Sequence, residues 1–206
     1  MAHSQPADSV VILDFETTGI SPKRGDRVIE VGAVKLVHGE VVDQFQQLMN
    51  PGFRISHFIE TYTGIKNSML RTAHSCHHVM REFSDFVGDA NLVAHNASFD
   101  RRFLDAELDR IQRDYTGVFA CSMLIARRLF QNAPNHRLGT LVEYLNIENE
   151  GIFHRALADA EMTARLWLAM LDEIRRRYSL EDIPFELMLK LAKTPKSSVH
   201  RLLRCH

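Results

Sequence analysis

The segment Val10-Val-Ile-Leu-Asp-Phe-Glu16 sets two acids into an apolar, β-branched run. Val10 to Phe15, closed by Thr17-Thr18-Gly19, reads as a buried strand. Side chains two apart on a strand project from one face, so Asp14 and Glu16 share a side. Two carboxylates together in such a run repel each other and are costly to desolvate. Either cations neutralise them, or the strand ends there and both reach water. Any fold for this chain has to bury the strand and still provide for the two charges.

The elements around it are legible from pattern. Val28 to Val37 is a second apolar run, and after the His38-Gly39 turn signal Val41 to Leu48 continues it, which predicts a three-stranded antiparallel meander. Asn50-Pro51-Gly52 breaks the pattern. Val79, Phe83 and Phe86 have helical spacing within Ser75 to Val87, and Leu92 to Ala94 reads as a short strand. From Ser98, the positions Phe99, Phe103, Leu104, Leu108 and Ile111 trace an amphipathic helix. Phe119 to Ser122 is a fifth strand candidate, with helices expected over 123–130, 136–145 and 155–178. Strands first, then strands alternating with helices, predict an α/β fold with a mixed sheet flanked by helices.

At 206 residues the chain suits one domain with a short appendage. The boundaries read as 8–178 for the domain and 179–206 for a C-terminal helix and basic tail. Leu180, Ile183, Leu187 and Leu191 trace that helix, with Pro184 in its first turn. Lys193 to His206 reads as a disordered tail or a nucleic-acid contact. The pairs Arg101-Arg102 and Arg127-Arg128 and the triplet Arg175-Arg176-Arg177 read as solvated helix faces, with Arg101 and Arg102 beside Asp100 as candidates to line a strand's path.

The formal net charge is −1, so no global positive field advertises a polyanionic ligand. Three cysteines, none in a CxxC pair, point to reduced thiols in a cytoplasmic protein. The first residues lack a signal-peptide pattern, and no apolar run approaches the roughly 20 residues that span a bilayer. The expectation is a soluble chain with no membrane partner.

Three further residues complete a chemical set. Asp100 stands at the start of a predicted helix, in Ala-His-Asn-Ala-Ser-Phe-Asp. His154 and Asp159 stand in His-Arg-Ala-Leu-Ala-Asp-Ala. Five positions on a helix amount to about 500° of rotation, which leaves the two side chains roughly 140° apart. To meet at one site, His154 must lie in a loop and Asp159 in the first turns of the helix. Carboxylate oxygens with room for water suit Mg²⁺ or Mn²⁺, whereas zinc favours nitrogen and sulfur.

Asp-Phe-Glu-Thr-Thr-Gly, His95-Asn96…Asp100 and His154-x4-Asp159 together resemble the three motifs of the DnaQ-like (DEDDh) 3′–5′ exonuclease superfamily, in which the proofreading exonuclease subunit of bacterial DNA polymerase III is the similar member. The resemblance covers residues 8 to 178. It implies a ribonuclease H-like fold and two divalent ions, Mg²⁺ or Mn²⁺. Asp14 would bridge the ions, Glu16 and Asp159 complete the first site, and Asp100 hold the second. His154 would take the proton of the attacking water, releasing nucleoside 5′-monophosphates. The family also implies substrate contacts from Thr17, Thr18 and Gly19 and from a loop bearing Tyr62 and Ile65; His95 and Asn96 of the second motif read mainly as holding the strand-to-helix turn, with Asn96 also a candidate substrate contact.

Two departures stand out. Thr63 replaces a histidine that some relatives have before Gly-Ile, and Cys121-Ser122 replaces an Asp-Thr pair. The reading is a single-strand 3′–5′ exonuclease with DNA preferred, in proofreading or repair, working with a polymerase partner in trans. An exoribonuclease, or a non-catalytic polymerase-associated binding module, remains open at this point.

Overall fold

The computed structural model describes residues 5–148 and 155–206. Strands β1 (Val10–Thr17), β2 (Val28–Val37), β3 (Glu40–Leu48), β4 (Leu92–Ala94) and β5 (Phe119–Cys121) form one sheet in the order β3-β2-β1-β4-β5. The meander β1-β2-β3 is antiparallel, while β4 and β5 run parallel to β1. Around the sheet lie α1 (His57–Thr63), α2 (Asn67–Thr72), α3 (Cys76–Val87), α4 (Ser98–Arg110), α5 (Ser122–Leu129), α6 (Leu138–Tyr144), α7 (Ala156–Tyr178), α8 (Phe185–Lys193) and α9 (Val199–Arg204). This is the mixed sheet flanked by helices that the element order predicts.

Alternation along β1 divides the core. Val10 and Ile12 pack with Val34, Leu36 and the Trp167 face of α7. Val11, Leu13 and Phe15 point the other way, against Val79 and Phe83 of α3 and Phe103 of α4. A strand covered on both faces reads as an unbroken apolar run, which is why β1 shows no polar alternation before Asp14. The even-numbered face continues to Asp14 and Glu16, so both acids emerge on the side of α7.

Glycine at position 32 lets α7 approach. A Cβ there would stand 2.0 Å from the Leu157 amide nitrogen and 2.1 Å from the Ala156 carbonyl carbon. Gly32 is also the β2 partner of Asp14. The start of α7 therefore lies directly over the strand pair that carries the acids.

Two regions differ from the sequence expectation. Residues 57–72, which carry no apolar periodicity, hold α1 and α2. Ser56 opens α1 by accepting the Ile59 amide, and Gly64 closes it at φ 71. Caps and a few buried residues (Ile59, Ile65 and Leu70 with Ile29 and Ile55) hold this short pair. The tail is the second case. Instead of disorder, Lys196–Ser198 form a 3₁₀ turn and Val199–Arg204 a helix, because Val199 and Leu203 enter the core shared by α7 and α8. The helix placed from Leu180 begins at Phe185, with Pro184 as its N-cap, and the Phe185 amide donates to Gln5 O at 2.9 Å. Among the described residues no helix is long and apolar enough to cross a membrane.

Candidate active site

β1 delivers Asp14 and Glu16 at its carboxyl end, and the first turns of α7 bring Asp159 to them. Ligand oxygens of these three residues lie within 4.8 Å of one another. α4 brings the fourth acid. Its entry turn passes through Asn96 at φ 68, a left-handed conformation that asparagine tolerates better than most residues. Asp100 then lies in the first turn of α4, and its Oδ1 accepts the Phe15 amide at 3.3 Å. β4 pairs with β1 only at Val11 and Ile12, so this carboxylate satisfies a strand N–H beyond the reach of β4.

The cluster is acidic and partly buried, with Glu16 and Asp100 buried and Asp14 and Asp159 half-buried. Burial pushes the Asp14 carboxyl well above the usual carboxylate range, and repulsion from Asp100, Asp159, Glu16 and Glu30 adds to it. Glu16 is pushed up to about 8 by burial, then by Asp159 and Glu30, with Arg155 opposing. Asp100 is raised to about 7 by burial, against hydrogen bonds from its own backbone and from Phe15. Four oxygen-donor side chains that repel one another in a cleft fit hard divalent cations, which would reverse every one of these shifts.

The carboxylates line a cleft of about 740 Å³ together with Thr17, Thr18, Gly19, Tyr62, His95, Asn96 and Phe99. Phe58 and Tyr62 stack on its wall, ring centroids 6.0 Å apart and nearly parallel, and both are more than half exposed. Ile20 is exposed on the same cleft. Thr17 Oγ1 donates to Gly19 O at 2.6 Å, while Thr18 Oγ1 donates to Asp26 and accepts the Arg27 amide. These hydroxyls shape the loop after β1. Gly19 permits the closure, because a Cβ there would stand 2.5 Å from the Asp26 carboxylate.

Of the residues singled out from sequence, Asp14, Glu16, Asp100, Asp159, Thr17, Thr18, Gly19, Tyr62 and Asn96 converge on this cleft. Ile65 does not. It is fully buried against Ile29, Ile55, Ile59 and Leu70, because Gly64 ends α1 and turns the chain inward. Thr63 is buried as well, donating to Ile59 O and accepting the Ile65 amide. His154 lies outside the described residues.

The sequence reading missed Glu30 and its partner Arg155, while His95 takes the structural place expected of it beside Ser122. Glu30, fully buried on β2 opposite Glu16, receives the Arg155 guanidinium and the Ala156 amide. Its signal was an acid within Val28-Ile29-Glu30-Val31, the same anomaly that marks Asp14. Ser122 is fully buried, and its Oγ lies 2.9 Å from His95 Nδ1. His95 Nε2 meets His136 O at 2.9 Å, and burial lowers this imidazole to about 4, so it is a neutral strut.

Comparison with known proteins matches the RNase_T exonuclease family over residues 11–167. The chain belongs to that family. Among curated relatives, the PolC-type DNA polymerase III of Caldanaerobacter subterraneus is 36% identical over 165 residues, and that of Bacillus subtilis 39% over 169. These matches cover 80% and 81% of this chain but 12% of each relative, so the chain spans about an eighth of their length. Among solved structures, exonuclease X in complex with 5′ overhanging duplex DNA matches with a TM-score of 0.68 at 26% identity, covering 89% of this chain and 99% of that one. The nuclease domain of 3′hExo, a DEDDh family member bound to rAMP, matches with a TM-score of 0.70 at 22% identity, over 84% and 94% of the two chains. The sheet is thus the ribonuclease H-like fold of these exonucleases, and the RNase_T exonuclease domain here is of the DnaQ/DEDDh type.

Proposed function

We propose that residues 8–178 act as a 3′–5′ exonuclease that hydrolyses single-stranded DNA ends to nucleoside 5′-monophosphates, with 179–206 as an appended helix and basic segment. The observation that carries this reading is the convergence of Asp14, Glu16 and Asp159 within 4.8 Å, beside buried Asp100. Asp14, Glu16, Asp100 and Asp159 would hold two Mg²⁺ or Mn²⁺ ions. Such ions supply Lewis-acid stabilisation of the attacking and leaving oxygens of an in-line displacement.

The remaining roles fall to the chain's own side chains. His154 takes the proton of the attacking water, a task suited to an imidazole titrating near neutrality. The stacked Phe58–Tyr62 wall and Ile20 offer apolar surface to the terminal bases, and base–aromatic stacking tolerates any sequence. Asn96 and the Thr17–Gly19 loop border the terminal sugar.

DNA as substrate is supported by the PolC-type polymerase relatives and by the likeness to exonuclease X with DNA. The same relatives motivate a proofreading or repair role beside a polymerase. The test is stepwise shortening from the 3′ end of 5′-labelled DNA and RNA of equal sequence with Mg²⁺. Preferred trimming of RNA would move the assignment to an exoribonuclease, and folded protein that binds strands without cutting them would move it to a binding module.

A further inference from the structure

From Leu187 to His206 the chain carries five lysines and arginines and no acid, although the whole protein is at −1. Packing of Val199 and Leu203 into the core sets this stretch against the end of α5. Lys196 and His200 there join Arg128, Arg177, Tyr144 and Tyr178 around a cavity of about 320 Å³ whose lining, among the described residues, includes no carboxylate. Arg177 has Glu173 as a counter-ion at 2.5 Å. Among the described residues Arg128 and Lys196 have none.

The cavity is built rather than incidental. Arg128 Nε donates to Thr194 O at 3.1 Å and Nη1 to Leu124 O at 3.2 Å, which fixes the guanidinium. Its Nη2 has no protein acceptor among the described residues. Gln131 Nε2 ties the carbonyl of Lys196 to the end of α5 at 3.4 Å. A fixed guanidinium, an ammonium and an imidazole around a small polar cavity match a phosphate group, and the flanking tyrosines offer faces for bases.

One connector links this cavity to the carboxylate cleft. His95 of the cleft meets His136 O, and His136 Nε2 in turn meets the carbonyl of Phe130, which lines the basic cavity. We propose that the cavity is a phosphate-binding exosite for the upstream part of the single strand whose 3′ end enters the carboxylate cleft. This rests on the exonuclease reading for the identity of the strand. An acidic protein surface is the competing occupant, and a polar cavity of this size suits a phosphate better than a protein face.

The test uses Lys196→Glu, an exposed position, with Arg128→Gln as a second variant and Arg81→Glu on α3 as a net-charge control. Binding of a labelled single strand of about 20 nucleotides is measured by anisotropy in the non-cleaving Asp14→Ala background, with a trinucleotide, inorganic phosphate and polyglutamate as further probes. Lys196→Glu should weaken the long strand about tenfold at low salt and flatten its salt dependence by roughly 0.7 in log–log slope per lost phosphate contact. The trinucleotide should be cleaved at an unchanged rate by Lys196→Glu protein that retains Asp14, and inorganic phosphate should compete for the long strand only at high concentration. Equal weakening by Arg81→Glu, or unchanged binding in both cavity variants, would overturn the exosite. Polyglutamate binding as tightly as the strand and lost in the same variants would assign the surface to an acidic protein instead. If no substrate is cleaved but Lys196→Glu still weakens strand binding, the exosite survives and the exonuclease reading falls.

Discussion

Glu30 and Arg155 form an ion pair with Nη2–Oε1 at 2.6 Å and Nε–Oε2 at 3.0 Å, and Glu30 is completely buried. Glu30 Oε2 also accepts the Ala156 amide, and the Asp159 amide donates to Arg155 O at 3.0 Å. One carboxylate on β2 thus fixes the first turn of the helix that presents Asp159. Glu30→Ala should cost roughly 2–3 kcal/mol in urea denaturation, less than a fully buried pair because Arg155 reaches water. It should also weaken Mn²⁺ binding in calorimetry, whereas Glu30→Gln, which keeps an acceptor, should lose less of both. Equal loss in the two variants would contradict the positioning role.

Gly32 tests the same junction sterically. Gly32→Ala puts a Cβ against the Ala156–Leu157 backbone, which cannot move as a side chain tip can. The expected loss is about 3 kcal/mol or more, at the upper end for overpacking, with activity falling alongside. A thermal melt unchanged from wild type would show that α7 does not lie where described.

Repulsion among the acids predicts a trade between stability and function. Asp14→Asn removes one charge from the buried cluster, so the metal-free variant should melt higher than wild type while losing nuclease activity and the stabilisation by Mn²⁺. Melting in EDTA and in Mn²⁺ checks both. A lower metal-free melting temperature would indicate that the carboxylate contributes stability by itself.

The pH dependence follows from the same shifts. Folded Glu16 and Asp100, raised to about 8 and about 7, hold protons that the unfolded chain has already released by pH 6.5. Where the folded state binds more protons, stability falls as pH rises. Metal-free protein should therefore lose stability between about pH 6.5 and 8.5, and divalent ions should recover more of it at the upper end. His95, lowered to about 4, acts in the opposite direction and only below the imidazole's unfolded range. Melting curves in EDTA that rise across this window would contradict the account.

The aromatic wall separates binding from folding. Phe58→Ala and Tyr62→Ala alter exposed rings, so stability should change little, while KM should rise by roughly tenfold per lost stacking contact. An unchanged KM with a lower kcat would place these rings elsewhere in the reaction.

The sequence made the acids legible because each breaks a pattern: Asp14 and Glu16 interrupt an apolar strand, and Asp100 opens an amphipathic helix. The order of strands and helices was readable from pattern as well, through short apolar runs for the strands and a period of 3.6 for the helices. Short helices with one or two buried residues leave no such period, so α1 and α2 were invisible and Ile65 was assigned to the cleft rather than to the core. Glu30 carried the strand anomaly, but its partner Arg155 stands 125 positions away, and only the β2–α7 approach at Gly32 brings them together. The basic tail read as disordered or as a nucleic-acid contact because Val199 and Leu203 are too few to signal burial by spacing.

The central claim is that the four acids serve phosphodiester hydrolysis from a 3′ end. The most direct measurement follows 5′-labelled single-stranded DNA and RNA of equal sequence with Mn²⁺ or EDTA, using wild-type and Asp14→Ala protein. The account predicts a metal-dependent ladder shortening from the 3′ end, faster on DNA and absent from the variant. Intact strands after incubation with folded, Mn²⁺-loaded wild-type protein would contradict it.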